Sequence, residues 1–497
     1  MASLQVSPTP VFTPLFIDGE LKSSSTSSTF QVVNPYTNEV VGLCSSASSE
    51  DCRDAIEAAS SAFHSWEISS LAKRRDIFLK AADIVSSDRY RTKIIDAMTA
   101  ETAATQSFGV YNWGPAATIL RTTAGLVNEL RGETFPSISG GHVMVQRRAT
   151  GVILGIAPWN APFTLALRAV AIPLICGNTV VLKSSENSPR THALVVELFQ
   201  EAGLPKGVLN FISMSRESSP RLTAEMIAHP MVRKINFTGS DRVGRLLAAE
   251  AAKYLKPCIL ELGGKSPMVV LDDANLEDAA RAIVYGAMAH SGQICMSTER
   301  VIVQRGISKA LISAVITLCE PLKAGDPSKN LLSPLFSVGS AENVLDLIRD
   351  ALDAGAELLL GDLSRKGSIV QPHLLYDVKP DMRIWEHETF GPVTLFSVFD
   401  TIDEAVDLAN ASDYTLAASL FTTNLHSAME ISPRIRSGYI NVNGTTFHSE
   451  PLLTVFGLGG SSGYGRFDVE HFTDKRSIVF HPPQRQYSLL GNLKSKL

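Results

Sequence analysis

From about Val152 onward, short runs of aliphatic and β-branched residues alternate with longer stretches of mixed polarity. The runs are GVILGI (151–156), TVVLK (179–183), GVLNFI (207–212), KINF (234–237) and CILEL (258–262). Between them lie 163–176, 190–202, 220–229 and 241–253, each long enough for a helix. Strands that alternate with helical stretches of about 10–15 residues predict βαβ units and a mostly parallel sheet covered on both faces. Upstream, Phe78, Ala81, Ala82 and Val85 recur at i, i+3, i+4 and i+7, one face of a helix. The alternation resumes after Ser266 with PMVVLDD, a helical stretch at 275–290 and RVIVQ, which predicts a second α/β unit. The most apolar window, Val152 to Leu182, is interrupted by Pro158, Asn160, Pro162, Arg168 and Pro173. A membrane span needs about 20 apolar residues with few or no charges, so this window predicts buried core and no membrane association.

Composition narrows the class. Of 497 residues 45% are hydrophobic and 19% charged, with a net charge of −5. A disordered chain would be poorer in apolar residues and richer in net charge. No basic face or arm stands out, so no nucleic-acid partner is expected. Six cysteines are too few for a disulfide framework, and neither CxxC nor HExxH spacing occurs, so no metal site is expected. The N-terminal MASLQVSPTPVF has no basic stretch followed by an apolar run, which argues against secretion. The chain ends in Ser495, Lys496 and Leu497, the form of a receptor-read peroxisomal address. The expectation is therefore a peroxisomal enzyme that engages an import receptor through these residues, and otherwise a cytoplasmic one.

Several residues could carry chemistry. Cys295 lies in HSGQICMSTER (290–300) among Gln293, Ser297 and Thr298, a polar setting that suits a thiolate nucleophile. Cys176, Cys258 and Cys319 lie in apolar surroundings and suit buried, inert thiols. Glu261 ends an apolar strand in ILELGGKSP (259–267), where partial burial favours general-base work; the alternative is a salt bridge to Lys265. Asn160 in APWNAPF follows a strand between prolines and could donate to a developing oxyanion, or simply shape a turn. FTGSDRVG (237–244) closes a strand and opens a helix, whose N-terminus attracts phosphate. Lys183 and Glu186, in VLKSSE, stand at another strand end, where they could hold a nucleotide ribose or form a solvated pair.

FIDGE, NPYT, PWN, VLKSSE, FTGS, ELGGKSP, GQICMSTER, EHETFGP and NVNG follow one another from residue 16 to residue 444. In this order they resemble the NAD(P)-dependent aldehyde dehydrogenase superfamily. The resemblance implies Cys295 as nucleophile, Glu261 as general base, and Asn160 with the Cys295 backbone N–H as oxyanion hole. It implies Lys183 and Glu186 at the adenosine ribose, and Gly239, Ser240 and Gly244 at the pyrophosphate. Glu388 and Phe390 fall at the nicotinamide ribose and ring, and Pro158 and Trp159 join the cofactor residues. The implied architecture is a Rossmann-type, doubly wound coenzyme domain (1–127 and 150–262) and an α/β catalytic domain (263–455). A small β arm with the C-terminal tail (128–149 and 470–497) would pair subunits into a homodimer or homotetramer.

The implied reaction oxidises an aldehyde to the carboxylic acid through a Cys295 thioester. A carboxylate at Glu186 repels a 2′-phosphate, so NAD is expected, with NADP possible. PWNAPF with Arg168 eight residues on, HSGQICMSTER, and NVNGTT with SGYGRF resemble the salicylaldehyde, vanillin and benzaldehyde dehydrogenases. Arg168 could point into the substrate funnel and meet a ring hydroxyl or an aryl face; the alternative is a surface salt bridge. Phe447 falls in the segment that lines the substrate entrance in relatives. The loop FGLGGSSGYG (456–465) lacks the lysine that the family more often carries there. The other readings are a medium- or long-chain aliphatic aldehyde dehydrogenase and a catalytically silent binding protein.

Overall fold

A computed structural model of the protein describes residues 10–448 and 456–483. Ser495, Lys496 and Leu497 lie outside the described residues. The first large sheet has eight strands. Its centre is parallel, in the order Cys258–Glu261, Val232–Thr238, Val152–Ile156, Thr179–Lys183, Leu209–Ile212. The chain runs from Val152–Ile156 outward in one direction, then returns to its other side at Val232–Thr238. That reversal is a topological switch point, where α/β sheets open a crevice at their carboxyl edge.

These strands read as continuous apolar runs because helices cover both faces. One face packs on Phe78, Phe163, Leu167, Val170 and Phe199, with the Phe78 and Phe199 rings edge to face at 5.1 Å. The other packs on Ala55, Ile56, Leu222, Met226 and Leu247. The helix Leu71–Val85 buries the Phe78, Ala81, Ala82, Val85 stripe. Pro162 and Pro189 open the helices Pro162–Ile175 and Pro189–Ala202, where a missing N–H costs nothing.

Two antiparallel edges of this sheet have no counterpart in the sequence reading. Leu15–Ile17, inside the region of FIDGE, pairs with Leu209–Ile212 through Phe16 opposite Phe211. Gly463–Tyr464 pairs with Cys258–Glu261 at the opposite edge. A second sheet of seven strands is built around Ser266–Val270, Thr298–Gln304, Val393–Phe399 and Ala417–Phe421, all parallel to their neighbours in this group. A separate three-stranded antiparallel sheet joins Glu133–Pro136, His142–Ala149 and Thr473–Phe480. Among the described residues no helix is long and apolar enough to cross a membrane, and no cluster of side chains could hold a metal ion.

Candidate active site

The carboxyl edge of the first sheet and the loop before Thr298–Gln304 meet at one place. Val152–Ile156 runs into Pro158, Trp159 and Asn160 just before the helix Pro162–Ile175 begins. His192 braces this turn: its Nδ1 accepts from Ser185 N (3.3 Å), so Nε2 carries the proton given to Pro158 O (3.1 Å). Burial pushes that imidazole down to about 3, so it stays neutral and acts as a strut. Asn160 is buried, and its Nδ2 donates to Gln293 O (3.0 Å). That bond uses one amide hydrogen and leaves the other free to donate.

The Cys295 loop is held by unusual backbone. After the helix Leu276–Met288, His290 and Ser291 both take left-handed conformations, with φ of 51° and 55°. Such residues persist only when their surroundings over-determine them, and here Ser291 Oγ bonds Ser333 O (2.6 Å). Gln293 adds a clamp, giving Nε2 to His290 O (3.1 Å) and taking Phe336 N on Oε1 (2.8 Å). Gly264 lets the loop close in, because a Cβ there would stand 2.0 Å from Cys295 O. Cys295 itself is half-buried. Burial, then the neighbouring Glu261 carboxylate, push its thiol well above the usual range, while Arg168 opposes them. The Cys295 thiol is therefore held in its protonated form beside the Glu261 carboxylate. Cys176 and Cys319 are raised to about 12 chiefly by burial, as inert core thiols should be, and Cys258 to about 11.

Glu261 is buried at the end of Cys258–Glu261. Its cation is Arg168, not Lys265. Lys265 is fully buried and bound to Glu299 instead, because the chain passes from the first sheet at Glu261 to the second at Ser266, beside the strand that carries Glu299. Arg168 is largely buried rather than a surface group. It donates to Glu261 and to Thr238 Oγ1 (2.9 Å) and lies over the Phe467 ring at 4.4 Å. Its Nε–H is buried without a partner. Thr238 belongs to the FTGS motif and Phe467 to SGYGRF, so both stood in plain view, but their meeting place did not.

The residues expected to hold a coenzyme gather along the same edge. Lys183 is buried, and its Nζ donates to Ser184 O (3.0 Å), leaving further ammonium hydrogens. Glu186 lines a cavity of about 480 Å³ with Asn187, Ser215, Arg216, Phe336 and Ser337. Ser240 caps the helix Asp241–Ala252, and Gly244 brings that helix close, since a Cβ there would stand 2.5 Å from the Leu262 side chain. Gly239 sits at the helix entrance, where a Cβ would meet the Phe237 ring at 2.4 Å. Trp159 stacks on Phe336 (4.2 Å between centroids) and meets Phe390 edge-on (5.9 Å). Glu388 is pushed up to about 8 by burial and by Glu299. Its described bond, from Gly264 N–H to Oε1 (2.9 Å), leaves Oε2 able to accept a hydroxyl. Glycines at the helix entrance, an ammonium, spare carboxylate oxygens and an aromatic wall together fit a dinucleotide.

A second cavity of about 370 Å³ adjoins the cysteine loop at Ile294. Phe108, Tyr111, Tyr285, Met288 and Phe447 are among its walls, and Phe447 meets Tyr285 edge-on at 5.5 Å. Burial pushes the Tyr111 hydroxyl up to about 12. Nothing in the local sequence marks Tyr111 or Tyr285, because each reaches the site from a different helix.

A family model described as "Aldehyde dehydrogenase family" matches residues 22–478. The vanillin dehydrogenase of Pseudomonas sp. strain HR199 is 41% identical over 483 residues, covering 96% of this chain and 99% of the relative. The crystal structure of a salicylaldehyde dehydrogenase from Pseudomonas putida G7 complexed with salicylaldehyde superposes with a TM-score of 0.93. That relative is 38% identical, with 96% of this chain and all of the other (100%) covered. An NADP-dependent glyceraldehyde-3-phosphate dehydrogenase from Bacillus halodurans C-125, complexed with NADP, is similar at TM-score 0.88. It is 31% identical over 94% of this chain and 99% of the other.

Proposed function

This chain belongs to the aldehyde dehydrogenase family and is an NAD(P)-dependent enzyme that oxidises an aldehyde to its acid; from that premise we propose that its substrates are aromatic aldehydes and its preferred coenzyme NAD. The observation that carries the reading is the convergence of Cys295, Glu261 and Asn160 beside an apolar cavity walled by Phe108, Tyr111, Tyr285 and Phe447. Flat aromatic walls of that kind favour an aryl ring over a flexible alkyl chain. The vanillin and salicylaldehyde dehydrogenases among the relatives support the same choice.

In the proposed reaction Glu261 accepts the Cys295 proton, and Sγ forms a bond to the aldehyde carbon. The carbonyl oxygen becomes an oxyanion that takes the second Asn160 amide hydrogen and the Cys295 backbone N–H. One such donor is worth roughly 3–4 kcal/mol in the transition state. When bound, the nicotinamide accepts the hydride that leaves the substrate carbon, so that a thioester remains on Cys295. Glu261 releases that first proton to solvent and then takes one from water, whose oxygen adds to the thioester carbonyl. The C–S bond breaks, and the acid departs with the thiol restored.

Glu186 supports NAD by repelling a 2′-phosphate at the ribose, although Arg216 shares its cavity. The two large sheets support the division into a coenzyme unit (1–127 and 150–262) and a catalytic unit (263–455). The exposed Phe135, Ile478, Val479 and Phe480 of the three-stranded sheet favour pairing of that arm with another subunit.

The test is NADH formation from benzaldehyde, salicylaldehyde, vanillin, hexanal and decanal, with NAD and with NADP and with Cys295→Ala as the blank. The aryl aldehydes with NAD are expected to give the highest kcat/KM. A preference for decanal would keep the mechanism and overturn the aromatic assignment. No turnover of any aldehyde would overturn the catalytic reading.

A further inference from the structure

Arg168 and Glu261 reach each other from different layers, one on the helix Pro162–Ile175 and the other at the end of Cys258–Glu261. The guanidinium is held by Glu261, by Thr238 Oγ1 and by the face of Phe467. Its side chain is 12% exposed and that of Glu261 2%. We infer that Arg168 is a positioning residue for the hydrolytic half of the reaction: it holds the Glu261 carboxylate by an ion pair in the buried resting site and yields it to water once the thioester has formed. The inference rests on the reading of Glu261 as the base.

The physical need is plain. A carboxylate buried to this degree without a cation takes up a proton, and a protonated Glu261 accepts nothing from thiol or water. Cys295 faces it from the loop before Thr298–Gln304, and Glu388 is a further acidic group that acts on that thiol. Neither tolerates another negative charge nearby, so Arg168 is the one positive group in this set. A guanidinium suits the task because it stays charged at any working pH. The resting grip is also incomplete. With Nε–H buried and unpartnered, an oxygen that enters with substrate or water gains a donor, and the hold on Glu261 loosens.

The measurement is decay of the Cys295 acyl adduct by quenched flow with intact-protein mass spectrometry, between pH 5.5 and 9.5. Wild type, Arg168→Lys, Arg168→Met and Glu261→Gln are compared, with the NADH burst amplitude recorded beside each. The acid limb of adduct decay should move up by about 1–3 pH units in Arg168→Met and stay near wild type in Arg168→Lys. Glu261→Gln, which also lacks the acceptor for the Cys295 proton, should form the adduct more slowly and show no such limb in its decay. Were Arg168→Met insoluble, Arg168→Gln, neutral but still a donor toward Thr238, carries the same expectation. An unmoved limb in a folded neutral variant with an intact burst would overturn the inference. So would a raised KM for salicylaldehyde with the limb in place, which would make Arg168 a grip on the substrate ring. Absence of any burst in wild type would instead strike the catalytic reading on which this one rests.

Discussion

Two buried carboxylates meet cations in neighbouring parts of the molecule, and they are bound quite differently. Glu299 takes Lys265 Nζ, the Thr389 N–H (3.0 Å) and the Thr389 hydroxyl (2.7 Å). Next to it Arg300 is spent on the carbonyls of Lys265, Leu408 and Ala409. Glu261 has Arg168 and the Cys295 thiol, and Arg168 keeps an unused N–H. A buried ion pair becomes a fixed part of the framework when hydrogen bonds satisfy its remaining donors and lone pairs. With those bonds missing, the same chemistry is free to move. Lys265–Glu299 fixes the loop that carries Glu388 and Phe390, whereas Arg168–Glu261 lies beside the Cys295 thiol.

The largest effect that would break this contrast is on stability. Lys265→Met leaves Glu299 buried without its cation and should cost about 3–5 kcal/mol, read from urea unfolding. Arg168→Met should cost clearly less, because Glu261 lies beside a partly open thiol. Equal losses would erase the distinction between a fixed pair and a working one.

A smaller effect concerns pH. Glu388 holds its proton in the fold up to about 8, whereas in the unfolded chain it releases it near 4.5, the ordinary value for the side chain. The stability it contributes is therefore present below about 4.5 and lost as pH rises toward 8. Glu388→Gln should flatten the fall of Tm between pH 5 and 8. An unchanged slope would assign that fall to other groups.

The smallest effect lies at the coenzyme end. Glu186→Gln removes the repulsion of a 2′-phosphate while leaving both ion pairs untouched. The ratio of kcat/KM for NADP to that for NAD should rise about tenfold, which is roughly 1.4 kcal/mol. No change would point to Arg216 as the group that sets coenzyme choice.

Much of the framework was legible because its signals are local. The parallel strands that begin at 152, 179, 209 and 258 lie within the apolar runs that predict them, Val232–Thr238 extends the run 234–237 at both ends, and the intervening helices begin and end within a residue or so. The exceptions share a cause. Leu15–Ile17 and Gly463–Tyr464 are too short to show periodicity, and they become strands only because a sheet edge offers partners far along the chain. At the site, Cys295, Glu261 and Asn160 could be picked out by residue type and by the turns they occupy. The partner of Glu261 could not, since Lys265 is near in sequence and Arg168 near only in space.

The sequence alone determined which residues are chemically capable and on which elements they ride, because strand and helix periodicity and turn chemistry act over a few neighbours. Tertiary structure decided which charges meet. That outcome depends on how a helix crosses a sheet, how the strands that carry Lys265 and Glu299 come together, and which aromatic rings close over what remains. Those are properties of packing between segments 34 residues apart for Lys265 and Glu299 and 93 for Arg168 and Glu261, and electrostatics follows distance in space rather than distance along the chain.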